Sequence, residues 1–84
     1  MQTSDMQASF STLLMSIGSA AMMSLGLAPN PASGKIEKNI ELAKFNIDLL
    51  DILRAKSKGN LDADEERLLT QLIADLQLKY VDAQ

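Results

Sequence analysis

The 84-residue sequence contains no cysteine, no histidine and no tryptophan. The missing cysteine excludes disulfides and thiolate metal ligands, and the missing histidine removes imidazole ligands and the commonest general base of enzymes. A chain of this length forms one small domain, which buries only about 60–65% of the surface of its unfolded state. Since neither a disulfide nor such a metal site can add stability, we expect a second chain or a membrane to complete the core.

Basic and aromatic side chains are also scarce. The formal net charge is −3, and the aromatic residues are two phenylalanines and one tyrosine. Nucleic-acid binding needs a basic face that neutralises phosphates and, for single strands, aromatic side chains on which bases stack. We therefore expect no nucleic-acid partner.

Helical periodicity accounts for most of the chain, and no stretch alternates with the period of a β-strand. The pattern predicts an all-α fold of three helices at about 5–25, 35–58 and 62–81, with a Pro/Gly connector at 26–34. Ser4 with Gln7, and Asp62 with Glu65, have the spacing of helix-capping boxes. Gly26 suits the left-handed conformation that ends many helices.

The second helix has apolar residues on most of its circumference. One row comprises Ile36, Ile40, Ala43, Ile47 and Leu50, and a second row comprises Leu42, Phe45, Leu49 and Ile52. The short link at Gly59 and Asn60 predicts an antiparallel hairpin with the third helix, which covers one side. A helix of this kind needs a neighbour on a second side as well. That neighbour is the first helix, a second copy of the chain, or both.

The first helix lies in a stretch without charge between Asp5 and Lys35. A secretory signal peptide would begin with basic residues, whereas MQTSDMQ has none. Residues 10–28 are 19 in number, enough for a helix to cross a hydrocarbon core of about 30 Å. However, a weakly polar row recurs at helical spacing, and lipid would not favour it. Its members are Asp5, Ser9, Thr12, Ser16 and Ser19. We therefore favour a helix buried in protein and keep the membrane as the alternative.

Two segments resemble ligand-binding motifs only in part. ASGK lacks the glycine spacing of a phosphate-binding loop, and Lys35 is followed by Ile36 instead of Ser or Thr. LDADEE lacks the glycine and the glutamate of a calcium loop, and its carboxylates suit the first turn of a helix. We therefore expect neither catalysis nor a cofactor nor a bound metal.

Several short segments occur in the order typical of a known family: FSTLLMSIGSA, LGLAPNP followed by GK, IDLLDIL, KSKGNL, EERLL and DLQLKYV. In these the chain resembles a small bacterial family catalogued as a domain of unknown function, number eighteen forty-four. The resemblance covers about 10–81 and is most specific at Pro29, Pro31, Gly34-Lys35, Ile47 to Leu50, Lys58 to Leu61, Asp75-Leu76 and Tyr80-Val81. Family members usually have Thr at positions 57 and 62 and Arg at 77, where this chain has Ser57, Asp62 and Gln77. The resemblance supports a bacterial, helical, non-enzymatic protein and implies neither a cofactor nor a catalytic residue.

These observations predict a cytoplasmic protein-interaction or assembly module that self-associates as a dimer or tetramer, with a further protein partner possible. The predicted interface comprises Phe10, Leu14, Ile17, Ala21 and Leu25 of the first helix and Phe45, Leu49 and Ile52 of the second. The alternative is an adaptor at the inner membrane, with the first helix in the bilayer and the 35–81 hairpin in the cytoplasm.

Overall fold

A computed structural model describes residues 8–84. Within this range the chain forms three α-helices and no strand, namely α1 (Phe10–Ser24), α2 (Ile40–Lys56) and α3 (Ala63–Ala83). The three helices pack against one another, which confirms the predicted all-α fold. The Cα atoms extend over 36 × 34 × 16 Å, so the bundle is flat and has two broad faces.

Helix α1 is bounded by two local hydrogen-bond motifs. Ser9 has an extended backbone, and its Oγ accepts a hydrogen bond of 3.0 Å from the backbone N–H of Thr12. The predicted helix therefore does not extend through residues 8 and 9, and the cap predicted at Ser4 and Gln7 lies outside the described residues. At the other end, Gly26 has a φ of 79°, and the N–H groups at 26 and 27 return to carbonyls of the last turn. This is the predicted glycine cap, in the form of a Schellman motif.

Helix α2 begins at Ile40, five residues after the predicted start at 35. The residues before it form a turn around Asn30, whose carbonyl accepts hydrogen bonds from the N–H groups of Ser33 and Gly34. Asn39 then caps the helix, because its side-chain oxygen accepts a hydrogen bond from the N–H of Leu42. The N–H of Asn39 also donates to the carbonyl of Ser24 at 2.7 Å, which joins the start of α2 to the end of α1.

Helices α2 and α3 form the predicted antiparallel hairpin. Ser57 caps the end of α2, and Gly59 takes a φ of 86° in the turn. Asp62 and Glu65 form the predicted capping box, with reciprocal hydrogen bonds of 2.8 and 3.0 Å. The helix that follows continues to Ala83, two residues beyond the predicted end.

The hydrophobic core lies between the three helices and is small. The described residues contribute nine buried apolar side chains: Leu14, Ala21, Leu25, Ala43, Ile47, Leu50, Leu69, Ile73 and Leu76. Gly18 of α1 lets α3 approach closely, since a Cβ placed there would lie 3.1 Å from a methyl group of Leu72. This close approach of two helices is made within a single chain.

Candidate interaction surface

Helix α2 presents apolar side chains both to the core and to solvent. The inner row, defined here as Ala43, Ile47 and Leu50, is buried. The outer row, defined as Leu42, Phe45, Leu49 and Ile52, follows a 3-4-3 spacing along another side of the same helix. This spacing places the four side chains in one continuous line.

The outer row is largely uncovered. Leu42, Phe45 and Ile52 are 46%, 58% and 54% exposed, and Leu49 is half-buried. A large aromatic and two branched aliphatic side chains on a single helix face form an unusual surface for a monomer, because single exposed apolar residues are ordinary but contiguous ones mark contact sites.

Helix α1 borders the same face of the molecule. A groove of about 310 Å³ is lined by Ala20, Met23 and Ser24 of α1 together with Leu42 and Asn46 of α2. Leu13, which lies two turns before Ala20, is 45% exposed. The outer row and this side of α1 therefore belong to one broad face.

The predicted interface residues divide into two groups. Leu14, Ala21 and Leu25 are at most 2% exposed and belong to the core, and Phe10 and Ile17 pack against that core. The three buried side chains are already covered by α2 and α3 of their own chain, so a second copy has no access to them in this structure. Phe45, Leu49 and Ile52 lie together in the outer row.

One member of the outer row, Leu42, is not part of the interface predicted from the sequence. Its 3-4-3 spacing with Phe45, Leu49 and Ile52 is the signal in the sequence that indicates it. The predicted serine row behaves as a solvated surface: Ser9, Thr12, Ser16 and Ser19 are all exposed, and Asp5 lies outside the described residues.

Two buried polar side chains, Ser24 and Asn46, line the groove between α1 and α2. Asn46 donates from Nδ2 to the carbonyl of Leu42 at 3.0 Å, and Ser24 donates to the carbonyl of Ala20 at 2.8 Å. Across residues 8–84, every buried side-chain nitrogen and oxygen has a hydrogen-bond partner. These hydrogen bonds hold both side chains against the backbone of their own helices.

Charged side chains on α2 form local ion pairs at the solvent side. Lys44 Nζ lies 2.9 Å from Asp48 Oδ2, and Arg54 Nη2 lies 2.6 Å from Asp51 Oδ1. The hydrogen bond and the charge of Asp48 raise the pKa of Lys44 above its ordinary value. Both pairs are exposed to solvent, so each contributes little to the free energy of unfolding.

A larger cavity of about 660 Å³ lies where α2 and α3 diverge toward their connecting turn. Ile52 and Ala55 of α2 line it, together with Leu61 of the turn and Glu66 and Leu69 of α3. Ile52 is therefore at the border of both the outer row and this cavity. In the part of the chain that the structure describes, no group of three acidic side chains is placed to hold a metal ion.

The uncharged stretch 10–28 is not one helix. Helix α1 has 15 residues and ends in the Gly26 turn before the connector. Among the helices described for residues 8–84, none has both the length and the apolar character needed to cross a membrane.

Comparison with known proteins gives one match. A family model with the description "Domain of unknown function (DUF1844)" matches residues 7–82, which is nearly the whole chain and confirms the resemblance of the sequence segments. No curated protein and no solved structure matches the chain at a significant level. The family description names no activity.

Proposed function

The chain belongs to the family described as Domain of unknown function (DUF1844), and we propose that it is a non-enzymatic protein-interaction module that self-associates through the outer row of α2. The observation that carries the proposal is the exposure of Phe45 and Ile52, at 58% and 54%, in line with Leu42 and Leu49. Burying such a row against another apolar surface is favourable by roughly 25 cal/mol for each Å² of apolar area removed from water.

The small core gives a second reason for self-association. A flat bundle of this size covers its apolar side chains incompletely, and an oligomer is the common way to complete such a core when disulfides and metals are absent. The chain has no cysteine and no histidine, so neither a disulfide nor an imidazole metal site is open to it.

Two features support the non-enzymatic part of the proposal. The sequence offers neither a thiol nor an imidazole as nucleophile or base. The buried polar side chains, Ser24 and Asn46, are engaged with backbone carbonyls of their own helices. A turnover that is lost on changing one specific carboxylate would contradict this part.

The proposal places the protein in the cytoplasm. The exposed hydroxyl row of α1, which includes Ser16 and Ser19, favours water over lipid. Fractionation of cells that contain the untagged protein tests the location. Recovery in the soluble fraction without detergent is expected, and recovery only in the membrane fraction would contradict it.

Size-exclusion chromatography with light scattering tests self-association. We expect the wild-type chain to have twice or four times the monomer mass and Phe45→Asp to be monomeric, because a carboxylate in the outer row would have to be desolvated on contact. The matched control is Leu78→Asp, which makes the same change of charge at a side chain of α3 that is 64% exposed. It should keep the wild-type mass.

Far-UV circular dichroism of each variant distinguishes loss of contact from loss of fold. A monomeric wild type at high concentration, or a Phe45→Asp variant with the wild-type mass and the wild-type helix content, would overturn the proposal.

A further inference from the structure

Two of the charged side chains of α2 have no ion pair within the chain as the structure describes it. Lys44 is paired with Asp48 and Asp51 with Arg54, as given above, whereas Glu41 and Lys56 are exposed and have no such partner among residues 8–84. Glu41 lies four residues before Phe45, and Lys56 lies four residues after Ile52. Each charge therefore lies one helical turn from a member of the outer row, on the same side of the helix.

The pair Phe45 and Ile52 of the outer row and the pair Glu41 and Lys56 share one midpoint. Phe45 and Ile52 are seven positions apart and Glu41 and Lys56 are fifteen apart, and both intervals are centred between Asp48 and Leu49. A two-fold axis through that point, perpendicular to α2, would bring one member of each pair onto the other member in a second copy. In such an isologous contact, residue i meets residue j and residue j meets residue i.

We infer that two copies of the chain pair through antiparallel α2 helices about a two-fold axis between Asp48 and Leu49. Phe45 then packs against the partner subunit's Ile52, Leu49 meets its own counterpart near the axis, and Glu41 lies opposite the partner subunit's Lys56. The inference rests on the proposed function, since it names the partner and the geometry of the same surface.

Charge complementarity selects this orientation over the parallel one. Parallel helices would place Glu41 against Glu41 and Lys56 against Lys56, and like charges across an interface disfavour the contact. The antiparallel arrangement makes two opposite-charge contacts per dimer instead. Near the axis the two Asp48 carboxylates approach each other, but each is already paired with Lys44 of its own chain at 2.9 Å.

Single engineered cysteines test the geometry, because the natural chain contains none. Under mild oxidation Leu49→Cys should form a disulfide-linked dimer. Phe45→Cys alone and Ile52→Cys alone should link poorly, because each residue is offset from its own counterpart by about 10 Å along the helix, beyond the roughly 7 Å between Cα atoms that a disulfide tolerates. An equimolar mixture of these two variants should link efficiently.

The pattern of cross-links separates the possible outcomes. If Phe45→Cys and Ile52→Cys each link to themselves and the mixture adds nothing, the helices are parallel and the inference is wrong. If light scattering shows a dimer that Phe45→Asp disrupts while none of the cysteine variants links, the contact uses another register, and only the inference fails. A monomeric wild type would overturn both the inference and the proposed function.

Exchange of the two charges gives an independent test. Glu41→Lys and Lys56→Glu should each raise the dimer dissociation constant about fivefold at low salt, since an exposed contact of opposite charge becomes one of like charge. The double variant should return to within about twofold of the wild type. Lys58→Glu, with the same charge change beyond the outer row, is the control and should change the constant less than about twofold. Failure of the double variant to recover would overturn the pairing of Glu41 with Lys56.

Discussion

The inner and outer rows of α2 have nearly the same chemistry and opposite environments. Leu50 of the inner row is fully buried, whereas Leu42 of the outer row, on the same helix, is 46% exposed. The difference arises because α1 and α3 cover one side of α2, and residues 8–84 contain no further helix to cover the other. Hydrophobicity therefore shows which residues of α2 form an apolar row, while the packing of α1 and α3 decides which row is buried.

The largest expected effect comes from changing one leucine of each row to alanine. Leu50→Ala should lower the free energy of unfolding by about 2–5 kcal/mol, because it leaves a cavity in a closely packed core. Leu42→Ala should lower it by less than about 1.5 kcal/mol, because half of that side chain remains in water. Urea titration followed by circular dichroism, at a protein concentration low enough to keep the chain monomeric, measures both values. Equal losses would show that the two rows are not different in the monomer.

A larger side chain should lower the free energy of unfolding more on the buried side of α1 than on its exposed side. Gly18→Leu should lower the free energy of unfolding by about 1–3 kcal/mol, because Gly18 is buried and even a Cβ there would be 3.1 Å from Leu72. Ser16→Leu, on the exposed side of the helix, should change it by less than about 0.5 kcal/mol. Thermal unfolding of the two variants in parallel gives the comparison. A Gly18→Leu variant as stable as Ser16→Leu would show that α3 does not approach α1 as closely as described.

The smallest expected effect concerns Asn39, the N-cap residue of α2. Asn39→Ala should lower the free energy of unfolding by about 1 kcal/mol, because the N–H of Leu42 loses its capping acceptor. Asn39→Asp should keep most of the stability, since a carboxylate accepts the same hydrogen bond and suits the positive end of the helix dipole. Amide hydrogen exchange over the first turn of α2 would locate the change. Faster exchange elsewhere, with that turn unaffected, would contradict the assignment of the cap.

Most of the fold could be predicted from the sequence, because the turns and helix caps depend on residues that are close together in the chain. Gly26 and Gly59 mark turns that need a positive φ, and Asp62 with Glu65 marks the start of α3 through bonds between neighbouring residues. The start of α2 was predicted too early, because Ile36 continues the apolar spacing but is 65% exposed in the connector. Asn39 caps the helix instead. The hydrogen bond from its backbone N–H to the carbonyl of Ser24 is a contact with the end of α1, and sequence spacing does not reveal such a contact between two elements.

The sequence predicted the candidate surface only in part. The spacing of Phe45, Leu49 and Ile52 predicts that these residues share an apolar face, and the spacing of Leu14, Ala21 and Leu25 predicts the same for α1. The structure separates the two sets, because α1 turns its row inward against α2 and α3. A periodic pattern shows which residues share a face, but not what that face contacts.

By itself, the sequence determined the all-α class, the helix caps at Asp62 and Gly26 and the presence of two apolar rows on α2, since these follow from residues within a few positions of one another. It also determined the family, through segments spread over nearly the whole chain. Only the tertiary structure decided that α1 completes the core of its own chain and that the outer row stays exposed. The physical reason is geometric. One side of a helix is buried only where another helix packs against it, and the flat arrangement of the three described helices leaves one side of α2 in contact with water.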